Sequence, residues 1–303
     1  MAHPPLVSLI VSTLERVATL DALLVSLQGQ AMPDFEVIVV DQNGDDRLAP
    51  VIAHHAQRMR LSHVRSERGL SRGRNAGMSV ASGAIFAFPD DDCRYRPQTL
   101  ARVAAFFDTH PAADGITGRA QQAAGERAPA RFARSAHWLT RRNVWIGGVS
   151  SVIFLRAGLC LANGPFDEML GLGAPSPWTA CEETDYLVRA VAAGARVRYD
   201  PQLVVEHAGS RGRMPPSYAL RGAAYGRAFG YVLRRHDAPR WTVFTVLLRA
   251  CGGAGLAAMC ARADLFRYHY AVARGRWRGW REGAEGASAQ RVGATSGGIG
   301  DSQ

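Results

Sequence analysis

Ala84-Ile85-Phe86-Ala87-Phe88-Pro89-Asp90-Asp91-Asp92 is the stretch that decides how this chain is read. Ile85, Phe86 and Phe88 predict a short buried strand. The strand delivers three carboxylates to its C-terminal end, the edge at which open α/β sheets place their ligands. Adjacent like charges repel. A hard divalent cation, Mg2+ or Mn2+, relieves that repulsion and prefers carboxylate oxygen. Mg2+ keeps several waters and combines one or two carboxylates with substrate phosphates, so the predicted ligand is a metal-bound diphosphate. The competing reading is a solvated acidic turn.

Upstream, strand and helix alternate. Leu6 to Ser12 and Phe35 to Val40 are apolar strands, and Leu61 to Arg65 is a weaker one. Leu20, Leu23, Leu24 and Leu27 give helical spacing over 14–28, and 72–81 is a second helix with Ser71 as its expected N-cap. This alternation predicts right-handed βαβ units, a parallel sheet, and Ser12, Asp41 and Asp90 together at one sheet edge. Downstream, helices are expected at 98–108 and 182–193, and strands at 148–155, 196–199 and 203–205. A loop low in bulky apolar residues is expected at 120–134, and Arg-rich helices from 215 onward.

Lys is absent, so all 36 basic residues are Arg. Residues 1–210 are neutral, with 21 Arg and 21 acids, whereas 211–281 carry a local charge of +12. A neutral body with a basic extension suits an anionic surface, such as a membrane or a nucleic acid. The five cysteines are scattered without a CxxC pair, which predicts a reducing compartment and argues against a zinc site. The first 13 residues read as a strand and not as a signal peptide.

An ordered set of motifs carries a family resemblance. It comprises Val7-Ser8-Leu9-Ile10-Val11-Ser12, Val37-Ile38-Val39-Val40-Asp41, Arg74-Asn75-Ala76-Gly77, Pro89-Asp90-Asp91-Asp92 and Cys181-Glu182-Glu183-Thr184-Asp185. Together they resemble the family 2 glycosyltransferases over roughly residues 5–210. The resemblance implies an α/β fold of the GT-A (Rossmann-like) type, a mostly parallel sheet flanked by helices, with a C-terminal basic helical extension. The expected layout is a catalytic domain at 1–210, the extension at 211–281 and a disordered tail at 282–303.

The resemblance also implies roles. Asp90 and Asp92 match the DxD positions, with Asp90 facing ribose and metal, Asp92 binding the metal and Asp91 beside them. His207 matches a position that completes a metal shell, and imidazole suits Mn2+ better than Mg2+; a structural His at a strand end is the alternative. Ser12 and Asp41 match nucleoside-holding positions, with turn formation through Asn43-Gly44 as the alternative for Asp41. Gln42 stands where many members carry a second Asp, which leaves the base open. Arg74 and Asn75 begin a helix suited to phosphate, or simply a capped helix with solvated arginines. Glu183 stands where the family's catalytic base Asp usually is, with Glu182 the second choice. Acids in a first helical turn also favour the helix dipole, and Asp185 can pair with Arg189 at i,i+4. Gly171, Gly173 and Trp178 form a loop suited to close sugar approach, unless Trp178 is core.

The expected activity is inverting, metal-assisted transfer from a nucleoside-diphosphate-sugar to a hydroxyl of a saccharide or lipid-linked acceptor. The expected setting is surface polysaccharide assembly, in the cytoplasm and peripheral on the inner face of the membrane. Two alternatives stay open. A metal-dependent nucleotidyltransferase would want a Gly-rich loop after the first strand, and Ser12-Thr13-Leu14-Glu15-Arg16 has no Gly. A non-catalytic basic protein would bind membrane or nucleic acid, but the acidic triplet argues against a nucleic-acid partner. Residues 241–260 are long enough to span a bilayer, yet the central Arg249 costs about 2.5–3.5 kcal/mol on insertion scales. The expectation is a helix lying on the body or in the membrane interface.

Overall fold

The computed structural model describes residues 3–122, 132–207 and 217–296. They fall into two units, Met1–Glu168 with Glu182–Arg211, and Met169–Cys181 with Gly212–Gln303. The second unit therefore takes residues 169–181, which the sequence reading assigned to the first.

The first unit opens with β1 (Val7–Thr13), α1 (Val17–Gln28), β2 (Phe35–Asp41), α2 (Ala49–Ala56), β3 (Arg60–Arg65), α3 (Leu70–Met78) and β4 (Ile85–Ala87). These four strands are parallel, as the βαβ alternation predicts. Leu9, Val11, Val37 and Val39 are fully buried against Leu20, Leu23, Leu24 and Leu27 of α1. At about 25 cal/mol per Å2 of apolar surface, each such Leu contributes roughly 2 kcal/mol. Helix α1 starts at Val17, three residues later than expected. Glu15 is held at a positive φ of 61° and its N–H donates to Asn43 Oδ1 at 2.7 Å. Helix α3 starts at Leu70, and Gly69 (φ 134°) takes the N-cap position expected for Ser71.

The unit continues with β5 (Cys93–Tyr95), α4 (Thr99–Thr109), β6 (Gly115–Gln122), β7 (His137–Trp138), β8 (Ile153–Arg156), α5 (Ala157–Asn163), α6 (Glu182–Ala192) and β9 (Val197–His207). The strand order is β3-β2-β1-β4-β8-β6-β9-β5, with β7 on β9. Beyond β4 the sheet becomes mixed, because β8 runs antiparallel to β4 and β6, and β9 runs antiparallel to β5 and β7. The strand expected at 148–155 begins as a 3-10 turn, Ser150–Val152, before β8. The two short strands expected at 196–205 are one strand with an irregularity opposite Thr117 and Arg119. Of the loop expected at 120–134, residues 120–122 finish β6 and 123–131 lie outside the described residues.

The second unit contains α7 (Ser217–Arg235), α8 (Arg240–Met259) and α9 (Ala263–Ser296). Helix α9 corrects the expected disordered tail, because 282–296 continue it. Glu282 is tied to Arg227 at 2.7 and 2.9 Å and to Arg278 at 2.8 Å, and the Ala residues that follow favour helix. Residues 297–303 lie outside the described residues.

Helices α7 and α9 meet backbone to backbone through two glycine ladders, Gly222, Gly226 and Gly230 against Gly275, Gly279 and Gly283. A Cβ on Gly230 would run into the Arg276 carbonyl oxygen, and one on Gly279 into the Arg227 carbonyl oxygen. We expect Gly279→Val to separate the pair and to lower stability by about 1–3 kcal/mol. Denaturant titration followed by circular dichroism checks this, with Gly158→Val, whose Cβ would meet open space, as the control.

Candidate active site

Asp90, Asp91 and Asp92 follow β4 at the end of the parallel strands, and each has its own partner. Asp91 turns inward and is 6% exposed. It accepts hydrogen bonds from Thr13 Oγ1 at 2.7 Å and Arg16 Nη1 at 3.0 Å. Arg16 also donates to Asp92 Oδ2 at 2.8 Å. Asp90 accepts from Ser150 Oγ at 3.1 Å and from Arg74 Nη2 at 3.4 Å. Thr13, Arg16 and Ser150 carry no sequence signal of their own. They meet the triplet because β1, its following loop and the turn before β8 converge on this edge.

His207 reaches the triplet through strand register. Strand β5 places Cys93 opposite His207 of β9. His207 Nε2 then lies 3.1 Å from Asp92 Oδ1, at ion-pair distance but off hydrogen-bonding angle, so this buried oxygen has no hydrogen-bond donor among the described residues. Ligand atoms of Asp90, Cys93 and His207 lie within 4.8 Å of one another. An orphaned carboxylate oxygen beside two carboxylate groups and an imidazole suits a hard divalent cation. Burial pushes the Cys93 thiol well up, so it stays protonated and is the poorest ligand of the set. Burial also raises the Asp90 carboxyl, against the Arg74 charge. Burial works the same way on Asp92, but His207 and Arg16 outweigh it and hold that carboxyl below its ordinary value.

The acidic helix meets the triplet through Arg74. Arg74 is 2% exposed, and its guanidinium donates to Glu182 Oε1 at 2.8 Å as well as to Asp90. Phe166 lies 5.4 Å beneath it. Glu182 is consumed by this pair, whereas Glu183 lines a narrow hollow with Arg74, Phe88, Ser150, Ile153, Phe166 and Tyr186. Burial, with the like charge of Glu182 next to it, pushes the Glu183 carboxyl up to about 8. A carboxyl so shifted accepts a proton readily near neutral pH. The i,i+4 alternative holds for Asp185, which is fully buried and paired with Arg189 at 2.9 Å.

Other expected site residues are turned to the scaffold. Asp41 is fully buried and accepts from the Asn43 N–H and side chain at 2.8 and 2.7 Å, with His63 at 3.0 Å and Arg65 at 3.2 Å. This is the turn-forming alternative. Gln42 donates to the Gly69 carbonyl at 2.8 Å and so anchors the start of α3. Asn75 bolts α3 to Phe166, donating to its carbonyl at 3.0 Å and accepting its N–H at 2.8 Å. Ser12 Oγ is buried, without a hydrogen-bond partner among the described residues, beside Gly73. Gly171, Gly173 and Trp178 lie in the second unit. The Trp178 ring is stacked on Tyr231 at 4.1 Å with Arg227 over it at 5.1 Å, which makes it a packing residue there.

The family model "Glycosyl transferase family 2" matches residues 8–156. A PGL/p-HBAD biosynthesis glycosyltransferase of Mycobacterium tuberculosis and M. bovis is 34% identical over 118 residues, 38% of this chain and 46% of the relative. A validoxylamine A glucosyltransferase of Streptomyces hygroscopicus is 34% identical over 109 residues, 34% of this chain and 26% of the relative. The chain thus spans less than half the length of these relatives. Among solved structures, Staphylococcus aureus TarS 1–349 aligns with a TM-score of 0.60 at 18% identity, over 90% of this chain and 91% of that one. The mannosyltransferase PcManGT from Pyrobaculum calidifontis, in complex with GDP-Man and Mn2+, aligns with a TM-score of 0.64 at 15% identity, over 91% and 87%. TarS has also been solved with UDP and with UDP-GlcNAc. The mixed sheet, the strand-end carboxylates and these likenesses agree: the fold is GT-A, and residues 8–156 match the glycosyl transferase family 2 domain.

Proposed function

We propose that the protein is an inverting glycosyltransferase that moves a sugar from a nucleoside-diphosphate donor to a hydroxyl of a saccharide or lipid-linked acceptor. The observation that carries the reading is the single buried guanidinium of Arg74, which joins Asp90 of the triplet to Glu182 of the acidic helix. It ties Asp90 to the helix that carries Glu183, and Arg74 and Ser150, both bonded to Asp90, line the narrow hollow that Glu183 also lines. Nucleotide-sugar donors bound to the solved neighbours support the donor class. Assembly of a surface polysaccharide at the cytoplasmic side of a membrane is the setting that suits such a reaction.

In this reading Asp90, Asp92 and His207 hold a divalent cation. Bound there, it stabilises negative charge that develops on the leaving diphosphate. Arg16 and Thr13 fix Asp91 and so set the direction of its two neighbours. Ser150 and Arg74 orient Asp90. Glu183 takes the proton of the acceptor hydroxyl as that oxygen attacks the anomeric carbon from the face opposite the leaving group. The inward commitments of Asp41 and Gln42 leave recognition of the base to backbone groups and to Ser12 Oγ.

The expected result for Asp92→Asn is loss of Mn2+ binding by at least about tenfold, within the range seen when metal-site partners are removed. Folding should be retained, because Asn keeps the shape of the side chain. Calorimetric titration with Mn2+ alone and thermal unfolding read the two effects. Unchanged Mn2+ affinity in the folded variant removes the metal assignment, and absence of transfer from every nucleotide sugar in a panel removes the activity.

A further inference from the structure

We propose that the outward faces of α8 and α9 form a docking surface for the interface of an anionic lipid bilayer. Helix α8 packs its small side. Thr242, Val246, Ala250, Ala254 and Ala257 are buried, and the Val246 carbonyl accepts from Arg276 Nη1 of α9 at 2.5 Å. Gly253 lets His269 of α9 approach closely.

The large apolar residues point the other way. Trp241, Phe244, Leu248, Leu256 and Met259 are exposed, Trp241 by 72% and Met259 by 80%. Their spacing keeps them on one stripe of the helix, roughly opposite the buried stripe. A folded helix that hides its alanines and shows its tryptophan, phenylalanine and leucines lacks an apolar partner among the described residues.

Charge identifies the partner. Arg240 and Arg262 flank α8 and Arg249 interrupts it, all three exposed. Helix α9 exposes Phe266, Tyr270 and Trp277, interleaved with exposed Arg267, Arg274, Arg278 and Arg281. Residues 211–281 carry +12 in total. Bulky apolar and aromatic groups with arginines at their margins match the boundary between acyl chains and anionic headgroups. Helix α8 is 20 residues long and apolar enough to cross a bilayer. Its commitment to α9 along the small side, with the Arg276 guanidinium on its backbone, favours lying in the interface. A nucleic-acid groove would not need the apolar stripe.

The test uses the full chain and sedimentation with vesicles of phosphatidylcholine alone or mixed with phosphatidylglycerol. Binding to the mixed vesicles is expected to be at least about tenfold tighter, and to weaken as salt rises. Trp241→Ser with Leu248→Ser should weaken it at least about tenfold without changing thermal unfolding, because both side chains are exposed. Tryptophan quenching of the unaltered protein by brominated lipid gives a second readout that does not depend on any variant. Equal binding to both vesicle types, no quenching, or unchanged binding by the double variant overturns the proposal. So does a lipid-free dimer that the double variant dissociates, since a second copy then covers the face.

Discussion

Glu183→Gln is expected to slow glycosyl transfer by about 10²–10⁴-fold, the usual contribution of a positioned general base. The amide has the size and polarity of the carboxyl but cannot take the acceptor proton. Glu183 is not among the residues proposed to hold the cation or the donor, so donor affinity should stay within about threefold; initial rates and calorimetric donor titration separate the two. The pH profile gives a stricter check. Burial raises Glu183 to about 8, so its reactive ionised form is scarce at pH 6 and grows towards that value. The rate of the unaltered protein should climb with pH and level off above about 8, and the residual rate of the variant should lack that limb. Stability should move in the opposite direction. Between the ordinary value of 4.5 and about 8 the folded chain keeps a proton that the unfolded chain has released. Folding stability therefore declines with rising pH across that window and stops declining above it, and the Gln variant should show a shallower slope. Near-normal transfer by Glu183→Gln would remove the residue from the reaction.

Arg74→Met is expected to cost about 3–5 kcal/mol of stability, the range for breaking one side of a buried ion pair. Arg74 and Glu182 are both almost completely buried, so removing Arg74 strands Glu182 with no solvent to replace it, whereas Asp90 keeps partial solvent contact and Ser150. Met fills much of the volume, which isolates the charge effect from the cavity effect. Arg74→Lys should recover only part, because one ammonium cannot match the planar fork that spans two carboxylates. In a double-mutant cycle with Glu182→Gln, a coupling of more than about 1 kcal/mol is expected. Urea denaturation measures all five proteins. A loss below about 1 kcal/mol for Arg74→Met would show that the two motifs are held together by something else.

Arg74 also illustrates how far the sequence can be read. The Arg-Asn-x-Gly pattern marks a chemically important position, but its residue types suggest phosphate binding. The structure turns both Arg74 and Asn75 inward, one to carboxylates and the other to the Phe166 backbone. Asp41 behaves likewise, because Asn43, His63 and Arg65 satisfy it from β2 and β3. Strands β1 and β2 are legible because each carries an apolar run on both faces, Leu9 to Val11 in one and Val37 to Val40 in the other. Strand β6 is not: Gly-Ile-Thr-Gly-Arg-Ala-Gln-Gln has neither an apolar run nor alternation, and it is a strand because β8 and β9 pair with it on both sides. Arg16 lies 75 residues from Asp91, although its place just after β1 puts it at the triplet's edge of the sheet. The glycines spaced by four at 222, 226 and 230 and at 275, 279 and 283 were passed over in the sequence reading. Their meaning needed the partner helix.

Local chemistry along the chain determined the parallel βαβ start, the acidic triplet at a strand end, the acidic helix beginning at Glu182 and the basic apolar extension. Each follows from side-chain period, burial preference or charge within a short window. Which carboxylate is free and which is spoken for could be decided only by tertiary structure. Glu182 and Glu183 are adjacent and chemically alike, yet one is buried and paired with Arg74 while the other lines the hollow, raised by desolvation and by the charge of its neighbour. That distinction depends on an arginine 108 positions away. Electrostatic energy depends on distance and dielectric in space, and neither is written in sequence separation.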